Sequence, residues 1–174
     1  MLEMRYLHLV VIGVAVLSLI LVLNLDNSLV YAQNEKYKAR LLGKNEIPPV
    51  NTTTGGRATF TMNDDNLSWK LNLTGISNAS AAHIYAGREG QNGDLIIDLL
   101  KIGQRTETPW GMLVIGKISA SDLQGPMVGK TLADLGSAFR GNNTYVNVLT
   151  ENHPGGEVRG QIKTPPPVNS TKLQ

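Results

Sequence analysis

Few residues in this chain have the type and spacing to do chemistry. Its 174 residues include no cysteine, which removes thiol nucleophiles, disulfides, thiolate zinc sites and iron–sulfur clusters. Of the three histidines, His8 lies in an apolar amino-terminal stretch, leaving His83 and His153. A catalytic metal needs three or four converging donors, usually several imidazoles, so two histidines are a thin basis for one. Asn63, Asp64, Asp65 and Asn66 could offer oxygens to calcium. That run lacks the glycine and glutamate of an EF-hand frame and reads as a hairpin turn. Asp94 and Asp98 fall on one face of a strand about 13 Å apart, too far for a paired-carboxylate mechanism. There is no Gly-x-Ser-x-Gly elbow and no phosphate-binding glycine loop. No catalytic residue, metal or cofactor is expected; the competing reading is a metal-dependent or redox enzyme centred on His83 with His153.

Charge adds little. Sixteen Lys and Arg against fourteen Asp and Glu give a formal +2, and along the sequence they are scattered, so a nucleic-acid footprint is not expected. The length suits one ordinary domain.

The amino terminus is a separate matter. Leu9 to Leu23 is unbroken in apolar or small residues, preceded by Arg5 and followed by Asn24, Asp26 and Asn27. As a helix it spans roughly 22 Å, short of a bilayer core. Val30-Tyr31-Ala32 before Gln33 has the small-x-Ala form that export peptidases read, so residues 1–32 are expected to be a signal peptide cleaved after Ala32. An uncleaved membrane anchor is the alternative. Either way the remainder is expected outside the cytoplasm, at the cell surface or released, touching a membrane only through that segment if it is retained. Outside the cell, the Asn-x-Ser/Thr sequons at Asn51, Asn66, Asn72, Asn78, Asn142 and Asn169 become candidate glycosylation sites.

The elements that must position His83 and its neighbours are strands. Leu67, Trp69, Leu71 and Leu73 alternate with polar residues, and Ala58, Phe60 and Met62 do the same just before, with turn formers between: a hairpin. Further strands are expected at Tyr37–Leu42, Ala81–Ala86, Leu95–Leu100, Met112–Ile118, Tyr145–Leu149 and Val158–Ile162. About eight short strands predict an all-β immunoglobulin-like or Greek-key sandwich or barrel, preceded by the amino-terminal apolar helix. One short helix is expected where Thr131 can cap a segment carrying Leu132, Leu135 and Phe139, with Gly141 at its stop. A shorter turn can start at Ser119 or Ser121. The β-domain is placed at residues 36–163, and residues 164–174, rich in proline, are expected to be an exposed tail.

Four segments carry a resemblance. They are Ala81-Ala82-His83-Ile84-Tyr85-Ala86-Gly87, Gln91-Asn92-Gly93-Asp94-Leu95-Ile96-Ile97-Asp98-Leu99, Tyr145-Val146-Asn147-Val148-Leu149-Thr150, and Asn152-His153-Pro154-Gly155-Gly156-Glu157-Val158-Arg159-Gly160-Gln161-Ile162. With the opening Leu41-x-Gly43-x-x-Glu46-x-Pro48-Pro49, their order resembles the CHRD (chordin-type) domain family, which includes microbial exported members. The resemblance implies a β-barrel or sandwich outside the cytoplasm with no established catalytic role. This chain departs from the pattern at Tyr85 and Leu149, where the family commonly has histidine, which weakens any metal site inferred from it.

Alternation puts Tyr145 and Asn147 on one face of their strand and Glu157, Arg159 and Gln161 on the matching face of the next, with His83 and Tyr85 to one side. This polar stripe has a structural reading, a cross-strand network holding the sheet, and a functional one, recognition of a ligand. The structural reading is preferred. The function expected is an exported, non-catalytic binding or structural module whose partner is an extracellular protein or an envelope component.

Overall fold

The computed structural model describes residues 34–63 and 66–166. The expected amino-terminal helix, the turn residues Asp64 and Asp65 and most of the proline-rich tail lie outside the described residues.

Nine strands form one antiparallel sheet: β1 (Glu35–Leu42), β2 (Gly55–Asn63), β3 (Asn66–Thr74), β4 (Ala79–Ala86), β5 (Leu95–Asp98), β6 (Gln104–Thr108), β7 (Gly111–Ile118), β8 (Thr144–Thr150) and β9 (Val158–Gln161). Their order across the sheet is β5-β4-β8-β9-β1-β2-β3-β7-β6. The sheet curls around a single core, and this is the all-β architecture expected. Arg105 of β6 shows the closure: its Nη1 donates at 3.2 Å to the Ala79 carbonyl of β4, a strand near the opposite end of that order.

The hairpin read from alternation is present in full register, with Phe60 opposite Trp69 and Ala58 opposite Leu71. Trp69 is buried, and Gly116 makes room for its indole, since a Cβ there would sit 2.9 Å from the ring. The expected helix is α2 (Leu132–Arg140), closed by a capping box in which Thr131 and Asp134 satisfy each other's backbone N–H. Leu135 and Phe139 are buried, and Phe139 packs edge-on against Tyr37 at 5.2 Å. The turn expected at Ser119 is a 3-10 turn over Ala120–Asp122.

Two details depart from the sequence reading. The strand placed over Leu95–Leu100 ends at Asp98, because the Asp98 carboxylate accepts from the Lys101 N–H at 3.1 Å and starts the one-turn helix α1 (Leu99–Ile102). The ninth strand, β6, was not anticipated. Its residues Gln-Arg-Thr-Glu-Thr carry no apolar alternation, because an edge strand exposed almost throughout has no apolar face to signal it.

The cations scattered along the sequence are gathered in space. Lys36, Lys38, Arg40, Arg57, Lys70 and Lys117 all project from the outward side of β1, β2, β3 and β7, so their dispersal in sequence does not describe the surface.

Candidate functional site: a polar cluster sealed by loops

β4, β8 and β9 are adjacent, and their register assembles the stripe. His83 lies opposite Asn147 and Tyr85 opposite Tyr145; Asn147 lies opposite Arg159 and Tyr145 opposite Gln161. Val146, Val148 and Val158 take the other face and enter the core. Both faces of β8 are therefore buried, its polar face by the segments 43–54 and 87–94.

Arg159 holds the second of these segments. It is 2% exposed, and its Nη1 donates to Asn92 Oδ1 at 2.8 Å. Nη2 donates to the carbonyls of Gln91 and Arg88. The guanidinium lies over the ring of Tyr145, 3.4 Å from its centre, and that ring stacks on Tyr85 at 5.3 Å. The Tyr145 hydroxyl accepts from the Gly93 N–H at 3.3 Å. Gln161 Nε2 donates to the carbonyls of Gly87 at 2.9 Å and Asn142 at 2.8 Å. A bidentate planar cation is suited to this work, and a lysine could not reproduce the fork.

Glu157 holds the first segment. Thr52 Oγ1 donates to its Oε1 and Thr150 Oγ1 to its Oε2, each at 2.7 Å. Burial pushes its carboxyl up, but hydrogen bonds from Thr54, Thr150 and Thr52 outweigh that and hold it below the usual carboxylate range.

Glu46 was not singled out as a site residue. It is 6% exposed, and Asn147 Nδ2 donates to its Oε2 at 3.4 Å. Its Oε1 and Asn147 Oδ1 find no hydrogen-bond partner among the described residues. Burial pushes its carboxyl up to about 7, against the opposing pull of Arg159 and the Asn147 hydrogen bond. Gly156 stands so close that a Cβ would meet Asn147 Nδ2 at 2.5 Å and Glu46 Oε2 at 2.8 Å. The signal that could have found Glu46 was its place in the opening Leu41-x-Gly43-x-x-Glu46-x-Pro48-Pro49, which was read for the resemblance and not for a site.

At the far end His83 is half-buried. Its Nδ1 sits 2.9 Å from the Tyr85 hydroxyl and its Nε2 3.8 Å from Asp98 Oδ1. Burial lowers its pKa below the ordinary imidazole value, with Asp98 pulling the other way. Burial likewise raises the Tyr85 phenol, aided by Tyr145, Asp98 and Glu46. His153 is not part of the cluster; its N–H bonds back to Thr150 within the β8–β9 turn. Among the described residues, no group of three or more His, Asp or Glu could hold a metal ion. What this arrangement does with its hydrogen bonds is tie loop backbone to the sheet.

Asn51, Asn66, Asn72, Asn78 and Asn142 are exposed, and Asn169 lies outside the described residues.

No solved structure matches the chain. It is similar to chordin of Xenopus laevis, at 28% identity over 136 residues. That alignment covers 78% of this chain and 14% of chordin's length. The CHRD domain family model matches residues 37–162, which run from the third residue of β1 through β9 and include all the residues of the sealed cluster, and the chain belongs to the CHRD domain family.

Proposed function

We propose that the protein is exported and acts outside the cytoplasm as a non-catalytic binding or structural module, with an extracellular protein or an envelope component as its partner. The observation that carries this reading is how the cluster spends its polar groups. Arg159 and Gln161 donate to loop carbonyls and to the Asn92 side chain, and Glu157 accepts from threonine hydroxyls, all within the same chain. The residues that looked most like a site are thus supports, and a supported β-surface suits recognition. Chordin, a relative over 14% of its length, lends analogy only. The small-x-Ala end at Ala32 supports export, and the exposed sequon asparagines support glycosylation in a host that glycosylates.

Native mass spectrometry of the protein recovered from its own cells tests this. A mass beginning at Gln33, with no metal, is the expected outcome. A mass retaining residues 1–32 makes it membrane-anchored. A stoichiometric copper, zinc or iron that is lost in His83→Ala overturns the non-catalytic reading in favour of a metal enzyme.

A further inference from the structure

The outward face of β1, β2, β3 and β7 has an unusual charge arrangement. Lys36, Lys38, Arg40, Arg57, Lys70 and Lys117 are all exposed there, interleaved with Thr59, Thr61, Ser68 and Asn72. Among the described residues, no acidic side chain stands on this face of the four strands; Glu35, at the start of β1, is turned to Arg140. None of the six cations belongs to an ion pair with a described carboxylate.

The register makes the repulsion direct. Arg40 lies directly opposite Arg57 with no carboxylate beside either, whereas Lys163, which faces Lys38 in an isolated bridge, is paired with Glu89 at 2.8 Å. Like charges facing each other across strands are destabilising, and a sheet kept only for its own stability would be better served by a carboxylate at position 40 or 57. An anion laid across the face removes that repulsion.

We propose that this face docks a linear acidic polysaccharide, carboxylated or sulfated. Neighbouring strands are about 4.8 Å apart and same-face residues about 7 Å apart along a strand, so the cations form a lattice that an extended polyanion engages at several points. The hydroxyl and amide groups of Thr59, Thr61, Ser68 and Asn72 between the charges suit sugar hydroxyls. The same face carries no aromatic side chain on which a nucleobase could stack. Its outward side is the convex side of a curled sheet, with Ile115 its one exposed large apolar group, which suits a strand-like ligand better than a planar bilayer. Asn66 and Asn72 both lie on this face, Asn72 between Arg57 and Leu113, so docking requires both to be free of glycan. The charge arrangement stands on register alone; that the polyanion is an extracellular polysaccharide rests on the export reading above.

The test uses the protein as its cells accumulate it, carrying Asn66→Gln/Asn72→Gln, with alginate as the probe and neutral dextran as its control. Binding to alginate but not dextran is expected at about 50 mM NaCl, weakening about tenfold or more at about 200 mM. The variant Arg40→Gln/Arg57→Gln/Lys70→Gln should lose binding about tenfold or more, while Lys101→Gln/Lys130→Gln, away from the face, keeps it. Circular dichroism checks that each folds, and the single change Arg57→Gln repeats the comparison if the triple variant does not. No alginate binding, equal loss in both multiple variants, or preference for duplex DNA or phosphatidylglycerol vesicles over alginate at the same salt overturns the proposal. Cell fractionation tests export separately, so an intracellular location would leave a positive alginate result intact.

Discussion

The Arg159 guanidinium carbon lies 3.4 Å from the centre of the Tyr145 ring, in a position where the cation is shielded from water and its N–H groups reach loop carbonyls. A buried cation held by a ring face and several acceptors is hard to replace, because truncating it strands every acceptor at once.

Arg159→Ala is therefore expected to cost about 3 kcal/mol or more of stability, and Arg159→Lys to recover little of it, because an ammonium cannot present the fork. Urea unfolding of the three proteins checks this. Equal stability of the lysine variant and the wild type would show that charge alone suffices.

Glu46 makes stability depend on pH in a stated direction. Its carboxyl is raised from 4.5 to about 7 in the folded protein. Between those values the folded state holds more protons than the unfolded one, so this group's contribution falls as pH rises through the window. Glu46→Gln removes the dependence. Relative to wild type, the variant should gain stability from pH 4.5 to pH 7, read as the difference between their thermal midpoints across that range.

His83 should titrate below the ordinary imidazole value, followed by NMR of its ring protons, because burial outweighs the pull of Asp98. In the tautomer that keeps its proton on Nε2, towards Asp98, Nδ1 accepts from the Tyr85 hydroxyl 2.9 Å away, and that bond would favour the neutral ring. Tyr85→Phe should shift the midpoint upward. An unchanged midpoint would mean that the hydroxyl does not donate to the ring.

Trp69 anchors the core and Asn72 does not, although both belong to β3. Trp69→Ala is expected to cost about 3–5 kcal/mol, while Asn72→Gln should stay within about 0.5 kcal/mol in glycan-free protein. Denaturant midpoints of the two variants check it.

Local alternation was legible wherever a strand had one buried face. Leu67 to Leu73 and Ala58 to Met62 showed their hairpin, and Thr131 with Gly141 bracketed α2, because each pattern is written within a few neighbouring residues. β6 was illegible because its residues are exposed on both sides. The end of β5 at Asp98 was missed because apolar residues continue past it, and a capping carboxylate, not hydropathy, decides where extended chain gives way to a helical turn.

By itself the sequence determined the all-β class, the face each side chain takes within its strand, and membership of the polar stripe, since all three follow from a period of two. Only the tertiary structure decided that the stripe is sealed. His83 meets Asn147 and Arg159 meets Asn92 across more than sixty residues of chain, and no local pattern encodes which loop will cover a strand. The same cause gathered Lys36, Arg57, Lys70 and Lys117 on one surface. β1, β2 and β3 follow one another in the chain, but β7 joins them, as β4 joins β8 and β9 joins β1, only when the sheet forms over a shared core, so burial and surface charge belong to the fold as a whole.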